Sequence, residues 1–359
     1  MKKNKKIKAY LLKLLTNKQK NLFDIKKSKS VLILKYDRIG DMVVSTPIFR
    51  ELKIAYPNIS ISVLASKANK DVIKNNPYID KIYTNYKNSV FKDLPTLLKL
   101  RKKKFDVCIE LEHSVIPHAI FRLKIIKPKK IISIHKDGRY GVKGSELKLY
   151  DYFTEKDKTS HFGKIWLDTL FFFGVKPRSS SYDFFLGNIE RDKAKSFVDS
   201  LGKKIKIGIN IEGSFPEKSI QKKELEKICV GLHNNFNNII IVILTSPEKL
   251  LEKKKMISKW GLDYVITSYS TETIIDVAAL IEQLDLIITP DTSIVHIASS
   301  FDKPVVSIHE NNKESFRLWS PSSTLSKTVF AKSNYGLFDY NVDKIIKYSL
   351  EFIRKLENK

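Results

Sequence analysis

The sequence predicts an α/β protein built from two Rossmann-like domains facing across a cleft. Three observations carry that reading. From Val31 onward, short β-branched runs alternate with helical patterns, the mark of a parallel sheet covered on both faces. The alternation restarts after Pro177-Arg178-Ser179-Ser180-Ser181, a stretch that reads as a linker. At about 150 residues per domain, a chain of 359 residues holds two. The expected organisation is a basic extension over 1–30, a first domain over 31–180, a second over 181–340 and a terminal helix over 341–359.

The elements follow in order. Val31 to Leu34 is a buried-strand run, and a Gly40-Asp41 turn leads into a helix that Pro57-Asn58 stops. Ile59 to Leu64 and Ile79 to Tyr83 read as strands, separated by a helix ending near Asn76-Pro77. Phe105 to Leu111 and Ile131 to Ile134 are two more strands, and Trp166 to Phe173 is an aromatic helix. In the second half, strands are expected over Ile205–Ile211, Ile239–Leu244, Leu284–Thr289 and Pro304–Ile308. Helices are expected over Lys222–Asn234, Thr271–Gln283, Thr292–Ser300 and, amphipathic, Val342–Leu356. In open sheets of this kind ligands sit at the carboxyl ends of the strands, so the loops there are where chemistry is sought.

Composition excludes several classes. With 42% apolar and 29% charged residues the chain is neither disordered nor fibrous. Two cysteines, Cys108 and Cys229, allow neither a disulfide framework nor a four-cysteine zinc site, which suits a reducing cytoplasm. His113 and His118 are the one close histidine pair, and a metal there is disfavoured. The net charge is +26, and of the basic residues only nine are Arg. Either Lys is spread over the whole surface without a role, or the excess attracts an anionic partner such as nucleotide phosphate, acidic glycolipid or a membrane surface. Nucleic acid is not expected, because Arg is the preferred reader of base edges and no zinc-finger or RNP-type motif is present.

Residues 1–30 hold eleven Lys and one acid, Asp24, so this stretch alone carries +10. Ile7, Tyr10, Leu11, Leu14 and Leu15 recur at helical spacing among Lys6, Lys8, Lys13 and Lys20. That pattern fits a basic amphipathic helix lying on an anionic bilayer, and equally a helix packed on the body with a solvated Lys face. No run approaches the roughly 20 apolar residues needed to span a membrane.

Three loops could carry chemistry. After the first strand comes Lys35-Tyr36-Asp37-Arg38-Ile39-Gly40-Asp41. Gly40 permits close approach, and Asp41 at the helix start is either a cap or a carboxylate aimed into the cleft. The phrase lacks Gly-x-Gly-x-x-Gly, so a nicotinamide dehydrogenase loses its main support. After the strand ending at Thr289 comes Pro290-Asp291-Thr292-Ser293, opening a helix that carries His296 one turn on. The N–H groups of Thr292 and Ser293 are a natural seat for a diphosphate, and Asp291 could hold a sugar hydroxyl. The third loop, Asn210 to Lys218, offers Ser214 and Lys218 as a second flank for it.

Taken together and in this order, the loops resemble the heptosyltransferases of glycosyltransferase family 9. The likeness rests on Leu34-Lys35-Tyr36-Asp37-Arg38-Ile39-Gly40-Asp41, Thr46-Pro47, Arg50-Glu51-Leu52-Lys53, Tyr56-Pro57-Asn58, Asn76-Pro77-Tyr78-Ile79-Asp80 and Phe105-Asp106. It returns in Asp291-Thr292-Ser293, His296-Ile297-Ala298 and Lys303-Pro304-Val305-Val306, and covers roughly residues 30–310. The resemblance implies a GT-B fold with an acceptor-binding first domain, a nucleotide-sugar-binding second domain and a terminal helix crossing back to the first. It implies inverting, metal-free transfer of a heptose from an ADP-activated donor to a lipopolysaccharide core or related glycan, an anionic glycolipid at the inner membrane surface. On this likeness Asp41 is the general base, with Arg38 and Gly40 on the acceptor-side loop. Lys218 and Ser214 are phosphate positions, Glu248 a ribose contact, and Asp291, Thr292, Ser293 and His296 the phosphate and sugar loop. The alternatives are another sugar nucleotide, a protein acceptor, or a non-catalytic membrane-surface binder of the same fold. The chain departs from the family pattern at Ser293, where Gly is usual, and after Lys218, where Trp-Pro is replaced by Ser219-Ile220-Gln221. It also has His309-Glu310-Asn311 where Phe-Gly is usual.

Overall fold

The computed structural model describes residues 2–18, 21–86 and 90–357. The chain divides into two compact units, Met1–Ser180 and Ser181–Lys359. Each is a parallel six-stranded sheet with helices on its faces, the α/β architecture expected of GT-B.

In the first unit, helix α1 (Lys2–Leu15) precedes β1 (Ser30–Leu34), α2 (Ile39–Ala55), β2 (Ser60–Ser66), β3 (Lys81–Asn85), α3 (Val90–Lys102), β4 (Val107–Glu110), α4 (Pro117–Ile126), β5 (Lys130–Ser133), β6 (Tyr152–Phe153) and α5 (Phe162–Leu167). The strand order is β3-β2-β1-β4-β5-β6, all parallel. The central strands are runs of Val, Leu and Ile because both faces of a parallel sheet are covered. Helix α2 is buried along most of its length and carries Pro47 inside it. Pro47 has no N–H for the Val43 carbonyl one turn back, and the Thr46 hydroxyl takes that carbonyl instead at 2.7 Å.

Two expected helices differ from the sequence reading. Between β2 and β3 only a 3₁₀ turn forms, Lys70–Ile73. Buried Asn69 ties the start of this segment back, accepting from the Ser66 N–H at 2.8 Å and donating to the Lys35 carbonyl at 3.3 Å. The aromatic helix starts earlier, at Phe162, capped by the His161 ring, and tightens to 3₁₀ over Asp168–Phe173 before Gly174.

The second unit runs α6 (Asn188–Asp199), β7 (Ile205–Asn210), α7 (Lys222–Asn235), β8 (Ile239–Leu244), α8 (Leu250–Ser258), β9 (Val265–Thr267), α9 (Ile274–Gln283), β10 (Leu286–Pro290), α10 (Ser293–Ser300), β11 (Val305–His309), α11 (Lys313–Trp319), β12 (Ser326–Phe330) and α12 (Val342–Glu357). Its order, β12-β11-β10-β7-β8-β9, repeats that of the first sheet. The terminal helix packs its apolar face on its own unit. Val342, Ile345, Leu350, Phe352 and Ile353 form one apolar face, and the second core absorbs it. Gly231 on α7 leaves room for the tip of Ile346, which a Cβ there would meet at 2.4 Å.

Helix α1 docks on the first unit by one edge. Leu12 and Thr16 are buried, and Lys13 and Lys18 pair with Glu146 and Asp151 at 2.5 and 2.6 Å. Tyr10, Leu11, Leu14 and Leu15 are exposed. Of the expected apolar stripe, the side chain of Ile7 lies outside the description, as do those of Lys6 and Lys8, and Lys20 lies outside the described residues. Among the described residues no helix is long and apolar enough to cross a membrane.

Candidate functional site

Each sheet reverses its strand order once, between β1 and β4 in the first unit and between β7 and β10 in the second. A crevice opens outside the carboxyl ends of the strands at such a point, because the two crossover helices leave it in opposite directions. The loops singled out in the sequence leave three of these four strands, β1, β7 and β10.

In the first unit the crevice holds a network of charged side chains around Lys35, which is 2% exposed. Its Nζ donates to Asp37 Oδ2 at 3.0 Å and Asp41 Oδ1 at 3.3 Å, and lies 4.0 Å from the centroid of the buried Trp166 ring. Burial works against the ammonium, but Asp41, Asp37 and Glu112 outweigh it and hold the Lys35 pKa above the ordinary lysine value. Asp41 is not the helix cap. That place belongs to Arg38, and Asp41 is the third residue of α2, its carboxylate turned to Lys35. Gly40 is buried between them, and the Arg38 side chain is exposed. From the end of β4, Glu110 is fully buried, paired with Lys136 and accepting from the Ser133 hydroxyl at 3.0 Å. Lys136 Nζ also donates to the Glu112 carbonyl at 2.5 Å.

Glu112 is the unusual acid. Burial, then a hydrogen bond with Asp37 and that residue's charge, push its carboxyl up to about 9 against the pull of Lys35. The folded chain therefore keeps a proton that the unfolded chain gives up above about 4.5. Stability should fall as pH rises from about 4.5 through about 9, since the native state binds more protons there. Glu112→Gln keeps a donor for Asp37 and removes the titration. It should raise the melting temperature at neutral pH and flatten its decline toward alkaline pH. Thermal melts across that range check this, and an unchanged slope would show that Glu112 is ionised.

In the second unit, Asn210 at the end of β7 joins the two loops, its Nδ2 lying 3.0 Å from Thr289 Oγ1 and 3.3 Å from Thr292 Oγ1. Thr292 caps α10, its hydroxyl accepting from the Ile294 N–H, while its carbonyl accepts from Val295. The N–H groups of Thr292 and Ser293 then head the helix, where its dipole favours an anion. Asp291 is half-buried, with its N–H on the Ile308 carbonyl at 2.9 Å and its carboxylate 3.7 Å from His309 Nδ1. His296, one turn into α10, is buried edge-on to Tyr182 and beside Trp319.

The loop after β7 folds on itself at Gly213, where a Cβ would stand 2.1 Å from the Lys218 carbonyl oxygen. That closure exposes Ser214 and leaves the Lys218 ammonium one-third exposed, 2.7 Å from Glu310 Oε2. Glu248 is exposed in the 3₁₀ turn Pro247–Lys249. The carboxylate bound to that loop is Glu212, which accepts from the Thr245 hydroxyl at 2.9 Å and the Ser246 N–H at 3.1 Å. The structure thus gathers Asp291, Thr292 and Ser293 at one switch point, with Lys218 on the β7 loop, and places Arg38, Gly40 and Asp41 at the other. Sequence reasoning missed Lys35, Glu110, Glu112, Asn210, Glu212 and Glu310.

Comparison with known proteins adds four findings. A family model described as glycosyltransferase family 9 (heptosyltransferase) matches residues 97–334, which span the second-unit loops but not Asp41. A protein of Escherichia coli K12, provisionally named lipopolysaccharide heptosyltransferase 4, is 25% identical over 331 residues, 87% of this chain and 85% of its own length. The glycosyltransferase family 9 structure from Veillonella parvula superposes with a TM-score of 0.77 at 18% identity, covering 93% of this chain and 99% of that one. The E. coli heptosyltransferase WaaC with ADP gives 0.71 at 14% identity, covering 90% and 99%. At these identities the likeness to the two solved structures is one of fold.

Proposed function

The chain belongs to glycosyltransferase family 9, and from that premise we propose that it moves a heptose or related sugar from an ADP-activated donor to a lipopolysaccharide-core or similar glycan acceptor, with inversion and without a metal. The observation that carries the reading is the division of labour between the switch points. A carboxylate held by a buried ammonium, Asp41 on Lys35, stands at the first. A helix N-terminus with Asp291 stands at the second, with the Lys218 cation on the β7 loop beside it.

In this scheme Asp41 takes the proton of one acceptor hydroxyl as that oxygen attacks the anomeric carbon. The bond from that carbon to the diphosphate oxygen breaks, and the diphosphate leaves with its electron pair. Lys218 and the N–H groups of Thr292 and Ser293 meet the developing charge. Asp291 binds a hydroxyl of the donor, and Ser214 on the β7 loop, Glu248 on the β8 loop and His296 on α10 are further donor contacts. The test is release of nucleotide from a panel of sugar nucleotides, with acceptor and EDTA present. Turnover with an ADP-sugar supports the reading, and an absolute requirement for added Mg²⁺ or Mn²⁺ contradicts it. Preference for another nucleotide would favour the rival donor, a reading that His309-Glu310 at the end of β11 keeps in view.

Lys218→Ala and Asp291→Ala should each weaken ADP-sugar binding by about ten-fold or more, the worth of a charge-assisted hydrogen bond. Calorimetric titration reads this, and parental affinity in both variants would move the donor elsewhere.

Helix α1 supplies the reason for a membrane partner. Its docked edge leaves Tyr10, Leu11, Leu14 and Leu15 exposed on a segment of charge +10, which complements an anionic bilayer. Leu14→Glu with Leu15→Glu should lower co-sedimentation with phosphatidylglycerol vesicles at unchanged melting temperature. Equal sedimentation would leave the helix a packing element only.

A further inference from the structure

The last residue of β11 and the one after it both reach the donor loops. His309 is 2% exposed, with its Nδ1 facing Asp291, its Nε2 buried without a hydrogen-bond partner and its ring against Phe316 and Phe330. Glu310 follows, and its two oxygens do different work. Oε1 accepts from the Gly336 N–H at 2.5 Å, bracing the turn at that glycine, whose φ is +78°. Oε2 is 2.7 Å from Lys218 Nζ.

The cation assigned to the leaving diphosphate is therefore paired with a carboxylate of the chain itself. The pair is partly open to water, at 31% and 18% side-chain exposure, so a stronger anion can break it. A diphosphate is such an anion, with more charge than one carboxylate and several oxygens for the same ammonium.

We propose that Glu310 sets donor affinity: it is the counter-ion that Lys218 gives up when a nucleoside diphosphate binds, and that recaptures Lys218 when the nucleoside diphosphate product leaves. The inference rests on the reading that Lys218 receives the donor diphosphate. The Gly336 N–H keeps the displaced carboxylate close by, so its charge opposes a lingering product and hastens release.

Glu310→Gln separates the two oxygens' roles, because a glutamine oxygen still accepts from Gly336 while the negative charge facing Lys218 is gone. The experiment is calorimetric titration of ADP, and of inorganic pyrophosphate as a base-free probe, into the parent, Glu310→Gln, Lys218→Ala and the double variant. Adenosine serves as the phosphate-free control. Glu310→Gln should bind ADP and pyrophosphate about five-fold more tightly, the scale of a part-exposed ion pair. The gain should vanish in the Lys218→Ala background, and adenosine should not distinguish the variants. Parental or weaker binding by Glu310→Gln, or a gain that persists without Lys218, would overturn the proposal. Parental binding of both probes by Lys218→Ala would instead sink the assignment of Lys218, and the proposal with it.

Discussion

Asp41→Asn should lower the transfer rate by roughly 10²- to 10⁴-fold while donor affinity stays near the parental value. The size follows from what a general base contributes, and the selectivity from its place. Asp41 lies in the first unit's switch-point crevice, whereas the residues assigned to the donor lie in the second unit. Folding should survive. Asparagine fills the same volume at the third position of α2, and Lys35 keeps Asp37 at 3.0 Å as a counter-ion. Single-turnover rates with saturating donor and acceptor, beside titration of the donor alone, separate the two effects. A loss of about ten-fold or less would remove Asp41 from the chemistry and leave it as a partner of Lys35 alone.

Much of this site was legible in the sequence, and the boundary of legibility has physical causes. The central strands read correctly because burial on both faces demands continuous Val, Leu and Ile. The edge strands β6, β9 and β12 were missed because they are short or half-exposed, as in Ser326–Phe330, where Val329 alone is buried. Gly-Asp and Asp-Thr-Ser mark strand-to-helix turns, so the loops could be found from local chemistry. Lys35 could not be picked out, since among fifty-six lysines nothing local distinguishes one that is buried. Its signal was positional, a lysine directly after a buried strand and six residues before Asp41. Glu110 and Glu112 alternate at the end of β4, where acids interrupt an apolar run, and that interruption was the cue to a polar crevice. Glu212 and Glu248 show the limit: two acids on neighbouring loops, and only packing decides which one is bound to the β8 loop.

Arg122→Ala should destabilise the first unit by about 3–5 kcal/mol, the cost of leaving a buried charge without its partner. Arg122 and Asp93 are each 1% exposed, joined by guanidinium contacts of 2.6 and 3.2 Å to one carboxylate oxygen. The same guanidinium donates to Asn85 at 3.2 Å, and Asp93 accepts from the Tyr86 N–H at 2.6 Å, so α3, α4 and the end of β3 meet at one point. With Arg122 gone, Asp93 is left in a site closed to water without its counter-ion, and the unfolded state gains by solvating it. Arg122→Met with Asp93→Asn tests this cause. The neutral amide still accepts from Tyr86, no charge is stranded, and most of the stability should return. Urea denaturation of both variants decides the matter, and a loss under about 1 kcal/mol for Arg122→Ala would mean the pair is solvated. The same guanidinium also reaches the strand end beside Lys35. The Arg122 guanidinium sits 4.8 Å above the ring of Tyr36, the residue between Lys35 and Asp37. The double variant removes the cation from that ring while restoring the fold. A rate deficit that persists in it would therefore trace to the cation lost beside Tyr36 and not to unfolding.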